Sequence, residues 1–408
     1  MMFPISLNGF EAGRDNFHDL VLAPANQLGK RRADTSLVVR DQNPHDGQDG
    51  RRSGERRANF RARPLALWRT MGRVKARMKK GVILWLLATG VALGSPAGPV
   101  DQRALQAAAA YSRSAGGTSF FASQNGQTLL EQNAGEPHKI YSGTKAFWGL
   151  AALAAAEDGL LSLDEHVADT IPSWKNDGRK ARVTIRQLLD FSCGLEPVFG
   201  LHNDNPGDRD AIAIRAPLVA NPGSAFIYGP SALQVFHAVL KAKLEGESPT
   251  HYLERRVLRR LGLGSQRYLT DSAGNPLLAA GWLLSARQWA KLGEVALNGG
   301  APVVGAGSMG QCWRGSGANR AFSLGWWNNR QAPGGREFDI EANLVPKWQR
   351  QSWGGTVLCR NAPSDVVACI GSGYQRLYVI PSMNLVVVRH GSGHKFSDAQ
   401  FLRLLVGK

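Results

Sequence analysis

Cysteine is scarce, four residues in 408, and none forms a C-x-x-C pair. With no H-E-x-x-H among nine His, the sequence carries no recognisable metal pattern, no implied cofactor, and too few cysteines for a disulfide scaffold. Sustained heptads and a three-residue glycine period are missing too, which excludes coiled coil and collagen, and no G-x-S-x-G marks the nucleophile elbow of an α/β-hydrolase. What is there is core material. Apolar residues make up 43% and charged residues 20%, with eleven Trp and fifteen Phe. That composition rules out a wholly disordered chain and suits one large or two ordinary domains.

The net charge of +17 is unevenly placed. Residues 1–80 hold 17 Lys and Arg against 8 Asp and Glu, with clusters at Lys30-Arg31-Arg32, Arg51-Arg52 and Arg56-Arg57. Such a start suits RNA, DNA or an anionic membrane, but equally a disordered leader or an over-extended gene start. The next segment decides between them. Met78-Lys79-Lys80 precedes an uncharged apolar run from Val82 to Leu93 and then Gly94-Ser95-Pro96-Ala97. A basic start, about a dozen apolar residues and a small-residue cleavage zone are the parts of a signal peptide, and the run is short for a spanning helix of about twenty. The expected organisation is therefore 1–77 a leader or gene-start artefact, 78–97 a signal peptide, and 98–408 the working domain. Export to the periplasm or medium follows, with no nucleic-acid partner and a membrane tether only if the signal stays uncleaved.

Beyond Ala97 the chain reads as one domain. Asn125-Gly126 between two apolar stretches predicts an opening hairpin. An Ala- and Leu-rich helix is expected from Gly143 to Asp158, ended by Gly159, and further helices over Leu233–Leu244 and Tyr252–Leu261. Strands are expected over 354–359, 365–370, 375–380 and 385–389, then a helix over 397–405. Cys359 and Cys369, about symmetric around a turn at Asn361–Ser364, are candidates to face each other on a hairpin.

Chemistry enters at Ser142-Gly143-Thr144-Lys145. On a helix, positions i and i+3 share a face, so the hydroxyl and the ammonium can touch. A serine needs a neighbour to take its proton, and a lysine does so once desolvation and positive potential lower its pKa. A helix N-terminus supplies that potential and favours the negative charge on an attacked carbonyl oxygen. S-x-x-K alone is weak evidence. A second copy, Ser392-Gly393-His394-Lys395, lies between glycines after the last predicted strand and reads as a solvated turn.

Tyr228 follows a Pro222-Gly223 turn in Phe226-Ile227-Tyr228-Gly229-Pro230-Ser231. Together with Val183-Thr184-Ile185, Ser192-Cys193-Gly194-Leu195, Ala280-Gly281-Trp282 and Gly371-Ser372-Gly373-Tyr374-Gln375, the set resembles the serine β-lactamase and penicillin-binding-protein superfamily. The likeness runs from about Asp101 to Leu405 and is strongest to the class C-like hydrolases and esterases. It implies an α/β fold of the α+β type, an antiparallel sheet flanked by helices with an inserted helical region. It also implies Ser142 as acylated nucleophile, Lys145 as proton acceptor and Tyr228 as proton exchanger, its phenol made easier to ionise by Lys145. Oxyanion donors are expected at Ser142 and Ser372 or a neighbour, with Gly371, Gly373 and Gln375 completing the substrate-binding turn.

Two departures bear on the substrate. Pro230 stands where lactamases and transpeptidases carry Asn, and Cys369 near the Lys of their K-T-G, so nothing there holds a substrate carboxylate. The replacements look more like those of ester and linear-amide hydrolases. Gln375, Arg376, Trp326 and Trp327 are candidates to shape an acyl pocket, or else ordinary core residues. His202, Asn203, Asp204, Asp208 and Asp210 suggest a cation loop in composition, without calcium spacing, and read as a solvated loop near the cleft. The expected activity is an exported serine hydrolase acting on a small ester, amide or peptide; the alternative is a cell-wall peptide sensor or D-alanyl peptidase with little turnover.

Overall fold

The computed structural model describes residues 98–344, 349 and 351–408. The leader and the signal segment lie outside the described residues. Among the described residues, no helix is long and apolar enough to cross a membrane.

Eleven strands occur among the described residues: β1 (Gly117–Gln124), β2 (Gln127–Gln132), β3 (Pro137–Lys139), β4 (Leu283–Ser285), β5 (Phe322–Ser323), β6 (Trp326–Asn328), β7 (Arg336–Glu337), β8 (Thr356–Val357), β9 (Val367–Gly371), β10 (Gln375–Ile380) and β11 (Leu385–Gly391). Seven form the main antiparallel sheet in the order β2-β1-β11-β10-β9-β6-β5. Five helices of eight residues or more are described: α1 (Gln102–Ser114), α2 (Lys145–Glu157), α3 (Ser231–Lys243), α4 (Ala286–Leu297) and α5 (Asp398–Leu405). The helical region is inserted between β3 and β4. The fold is the expected mixed α/β architecture.

Local chemistry explains the elements. Asn125 and Gly126 both take positive φ (53° and 75°), the primed turn that matches strand twist, and β1 pairs with β2 as expected. β9, β10 and nearly all of β11 are buried along their length, which is why they read as near-continuous apolar runs rather than alternating ones. α1 and α5 pack together, and α4 lies on β10 and β11. Gly293 of α4 has no room for a Cβ, which would come within 2.7 Å of Val386 and 3.0 Å of Leu377. Ser285 and Gln288 close a capping box at the start of α4.

Boundaries differ where breakers act. The 354–359 stretch shrinks to Thr356–Val357, paired in parallel with β7 and not with β9, so Cys359 and Cys369 do not share a hairpin. All four cysteines are free and buried. The helix expected over 252–261 is three short pieces, Pro249–Leu253, a wide turn at Glu254–Leu258 and a tight one at Arg259–Leu261, ended by Gly262 at φ 62°.

Candidate active site

A tight turn, Tyr141–Thr144, leads into α2 and carries Ser142. Tyr141 just before it holds φ 45°, a conformation that costs an L-residue energy and gives the chain its sharp bend at the hydroxyl. Close packing fixes the turn. A Cβ on Gly143 would lie 2.4 Å from the Trp289 ring, and one on Gly371 only 2.0 Å from the Ile140 carbonyl. The end of β9 thus lies against the backbone immediately preceding the serine. On the other side the β5–β6 turn approaches α2 through two more glycines: a Cβ on Gly149 would sit 2.1 Å from Leu324 O, and one on Gly325 2.6 Å from Ala146 N. Asp190 caps that turn, its Oδ1 accepting from Ser323 Oγ at 2.8 Å and Leu324 N at 3.2 Å, while burial pushes its carboxyl up to about 6.

Lys145 is 3% exposed in a helix buried all round. Its Nζ donates to Ser142 Oγ at 2.7 Å and to the Ala279 carbonyl at 2.8 Å, and lies 4.8 Å from the centre of the Tyr228 ring. No carboxylate touches it among the described residues. Desolvation without a counter-charge lowers its pKa from 10.5 to about 7. The Tyr228 phenol hydrogen-bonds with Ser142, so the three side chains meet. The phenol is harder to ionise than usual, contrary to the expectation from a nearby lysine: burial raises it most, the Ser142 bond only partly offsets this, and the Glu341 carboxylate adds to the rise.

Tyr228 is held by its loop. Ile227 N donates to Phe191 O at 2.7 Å, the Phe191 ring stands 4.9 Å from the phenol ring, and Gly229 lies against Pro197. Pro230 caps α3 and offers the site no side-chain hydrogen bond.

Ser372 lies in the turn between β9 and β10. Gly373 N and Tyr374 N in that turn donate to Glu341, at 2.7 and 3.0 Å, whereas the N–H groups of Ser142 and Ser372 have no backbone or side-chain acceptor among the described residues. Gly373 is therefore not available as an oxyanion donor. Gly371 allows close approach, and its carbonyl accepts from Arg376 at 3.1 Å. Gln375 is a brace, not a pocket wall: it is buried, Oε1 accepts from His390 Nδ1 and Gly391 N, both at 3.0 Å, and Nε2 donates to Gly373 O and Gly391 O. Arg376, Trp326 and Trp327 are likewise core, at most 1% exposed, with Arg376 paired to Asp398. The second S-x-x-K is a surface turn whose Ser392 Oγ donates to Gly116 O.

Two contributors carried no sequence signal: Ala279 acts through its carbonyl and Glu341 through the turn it holds. His202 lies within electrostatic range of Lys145: burial and then the Lys145 charge push its imidazole down to about 4. The loop carrying His202 is held by buried Arg209, which donates to Leu201 O and Asn203 O. Asp208 and Asp210 are engaged in capping and in bonds to Gln234 and His237.

With this geometry, the Beta-lactamase family profile matches residues 100–395. The chain belongs to the Beta-lactamase family. Among curated proteins it is similar to protein flp of Staphylococcus aureus (strain N315), 26% identical over 166 residues, 36% of this chain and 33% of that one. The chain thus spans about one third of the length of the curated relatives it matches. Among solved structures it is similar to EstCE1, a hydrolase with promiscuous acyltransferase activity, with TM-score 0.55, 18% identity, 75% of this chain and 99% of that one. A class C β-lactamase from Rhodobacter sphaeroides aligns with TM-score 0.54 at 16% identity over 75% of this chain and 99% of its own. These likenesses share the β-lactamase-like fold.

Proposed function

We propose that this Beta-lactamase family member is an exported serine hydrolase that forms an acyl-enzyme at Ser142 from a small ester or linear amide. The observation that carries the reading is Lys145, neutral for half its time near pH 7 and 2.7 Å from the serine hydroxyl. Neutral Nζ takes the Oγ proton as Oγ bonds to the substrate carbonyl carbon. Charge moving onto the carbonyl oxygen meets the N–H groups of Ser142 and Ser372, each such donor worth about 3–4 kcal/mol in the transition state. The tetrahedral species then breaks its bond to the alcohol or amine, which takes the Tyr228 proton while Lys145 returns its own to the phenol. Water then gives a proton to Lys145 as its oxygen bonds to the acyl carbon, and the second tetrahedral species breaks its bond to Oγ, which takes a proton back as the acid leaves. Because the phenol is held protonated, Tyr228 is the donor and Lys145 the base.

Incubation with a fluorophosphonate and with p-nitrophenyl butyrate, read by intact mass and nitrophenol release, tests this. Wild type should take one adduct and turn over the ester; Ser142→Ala should do neither. An adduct of the butyrate that never clears, or equal labelling of Ser142→Ala, overturns the reading. Pro230 and Cys369 leave a substrate carboxylate without a partner, so benzylpenicillin should be hydrolysed with kcat/KM at least about a thousandfold below that of the neutral ester, the scale expected when one buried charged partner is missing.

A further inference from the structure

A surface cavity of about 310 Å3 is lined by Arg314, Arg320, Arg330, Gln331 and Gly315–Gly317, with none of Ser142, Lys145 and Tyr228 in its wall. A second of about 220 Å3 shares Gly317, Arg320 and Gln331 with it and adds Trp353 and Gly354-Gly355. No Asp or Glu lines either one. Arg186, Arg255, Arg256, Arg287 and Arg376 each meet a carboxylate, whereas Arg314 and Arg320, both exposed, make no side-chain hydrogen bond or close ion pair among the described residues, Arg314 acting on Asp164 and Asp190 only at longer range. Arg330 is pinned by one donor to Trp313 O at 3.2 Å. Gln331 Nε2 is shut off from solvent and has no hydrogen-bond partner.

The loop presenting these groups is built rather than loose. Gly315 sits at φ 75°, where a Cβ would fall 2.3 Å from Arg320 O. Ser316 N donates to Asn319 O at 3.0 Å, Asn319 N to Ser316 Oγ at 3.1 Å, and Asn328 Nδ2 holds Arg320 O at 3.0 Å. Three exposed guanidinium groups around one opening with no carboxylate in its lining favour an anion, and planar guanidinium forks match phosphate oxygens. We propose that this cavity binds a small ligand bearing a polyvalent phosphate group, held by Arg314, Arg320 and Arg330, with the rest of the ligand running past Arg320 toward Trp353. The volume exceeds a lone phosphate. The Trp353 ring stands 5.1 Å from Phe226, itself 6.0 Å from the Tyr228 ring, so the far wall of this site is two rings from the proposed proton donor.

Calorimetry on the full chain with pyrophosphate as probe, in 150 mM salt, tests the proposal without using hydrolysis. One pyrophosphate per chain is expected, bound at least tenfold more weakly by Arg314→Gln/Arg320→Gln. Arg103→Gln/Arg113→Gln on α1, which removes the same charge from exposed positions, should bind like wild type. Equal weakening in both pairs, or several anions per chain, would mean diffuse association with a +17 protein and overturn the site. So would an absence of binding up to 10 mM pyrophosphate.

Discussion

Lys145 carries the proposed chemistry and a thermodynamic signature that tests it. Its pKa is lowered from 10.5 to about 7 by burial, so the catalytically useful neutral form grows as pH rises through 7. The rate of ester hydrolysis, as kcat/KM, should climb along one limb with an apparent pKa near 7. It should not fall again below about pH 10, because Tyr228 holds its proton more tightly than a free phenol. A bell centred on 7 would assign the base elsewhere. Stability follows the same proton. Between pH 7 and about 10 the unfolded lysine is protonated and the folded one is not, so wild type gains stability with pH, by up to about 1.4 kcal/mol per unit. Lys145→Met lacks that gain. Urea unfolding of both proteins at pH 7 and 9 should show wild type rising relative to the variant; parallel behaviour would mean that the amine is not desolvated. The same variant should lose at least about a thousandfold in kcat/KM, the scale of removing a general base together with the activation of its nucleophile.

At the scale of elements, the site is a meeting of three backbone turns that only small residues allow. β9 reaches the Ile140 carbonyl through Gly371, and the β5–β6 turn reaches α2 through Gly149 and Gly325. Gly371→Ala puts a Cβ where the backbone oxygen already lies and must drive the turn bearing Ser372, the proposed oxyanion donor, away from Ser142. We expect a loss of at least about a hundredfold in ester kcat, since a misplacement of about 1 Å in a reacting geometry has that effect. Gly126→Ala, in a turn with open space but φ 75°, should cost about 1 kcal/mol in unfolding free energy and leave kcat alone. Equal kcat in the two variants would remove the close approach from the catalytic argument. These contacts also mark what the sequence made legible. The hairpin at Asn125-Gly126, the buried Ala-rich helix and the strands from 375 onward are written in local pattern, and Ser142, Lys145 and Tyr228 in motif order. Gln375, Arg376, Trp326 and Trp327 were not separable, since a buried amide or indole carries the same letter in a pocket wall as in a core. Glu341 and the Ala279 carbonyl reach the site through tertiary packing, which no local period encodes.

Over the whole molecule, one buried ion network ties the C-terminal helix to the β9–β10 turn. Arg376, fully buried, donates through Nε to Asp398 at 2.7 Å at the start of α5, and through Nη1 to Glu341 at 3.2 Å and to Gly371 O. The Tyr378 hydroxyl also donates to Asp398. Glu341 in turn fixes Gly373 and Tyr374. A chain of contacts thus runs from Asp398 to the turn bearing Ser372. Asp398→Asn leaves the Arg376 charge buried with one carboxylate in place of two, and should destabilise the fold by about 3–5 kcal/mol in urea unfolding. Arg376→Met/Asp398→Asn removes the stranded charge and should be less destabilised than the sum of its single variants by at least about 1 kcal/mol, since residues in one network couple. Additive losses would mean that the two side chains act separately. In the folded fraction of Asp398→Asn the Ser142 adduct should still form with the fluorophosphonate, because Lys145 and Tyr228 are untouched, while ester kcat falls as the turn bearing Ser372 loses its anchor. Loss of labelling together with kcat would place Asp398 upstream of the proposed nucleophile itself, rather than behind the turn proposed to receive the oxyanion.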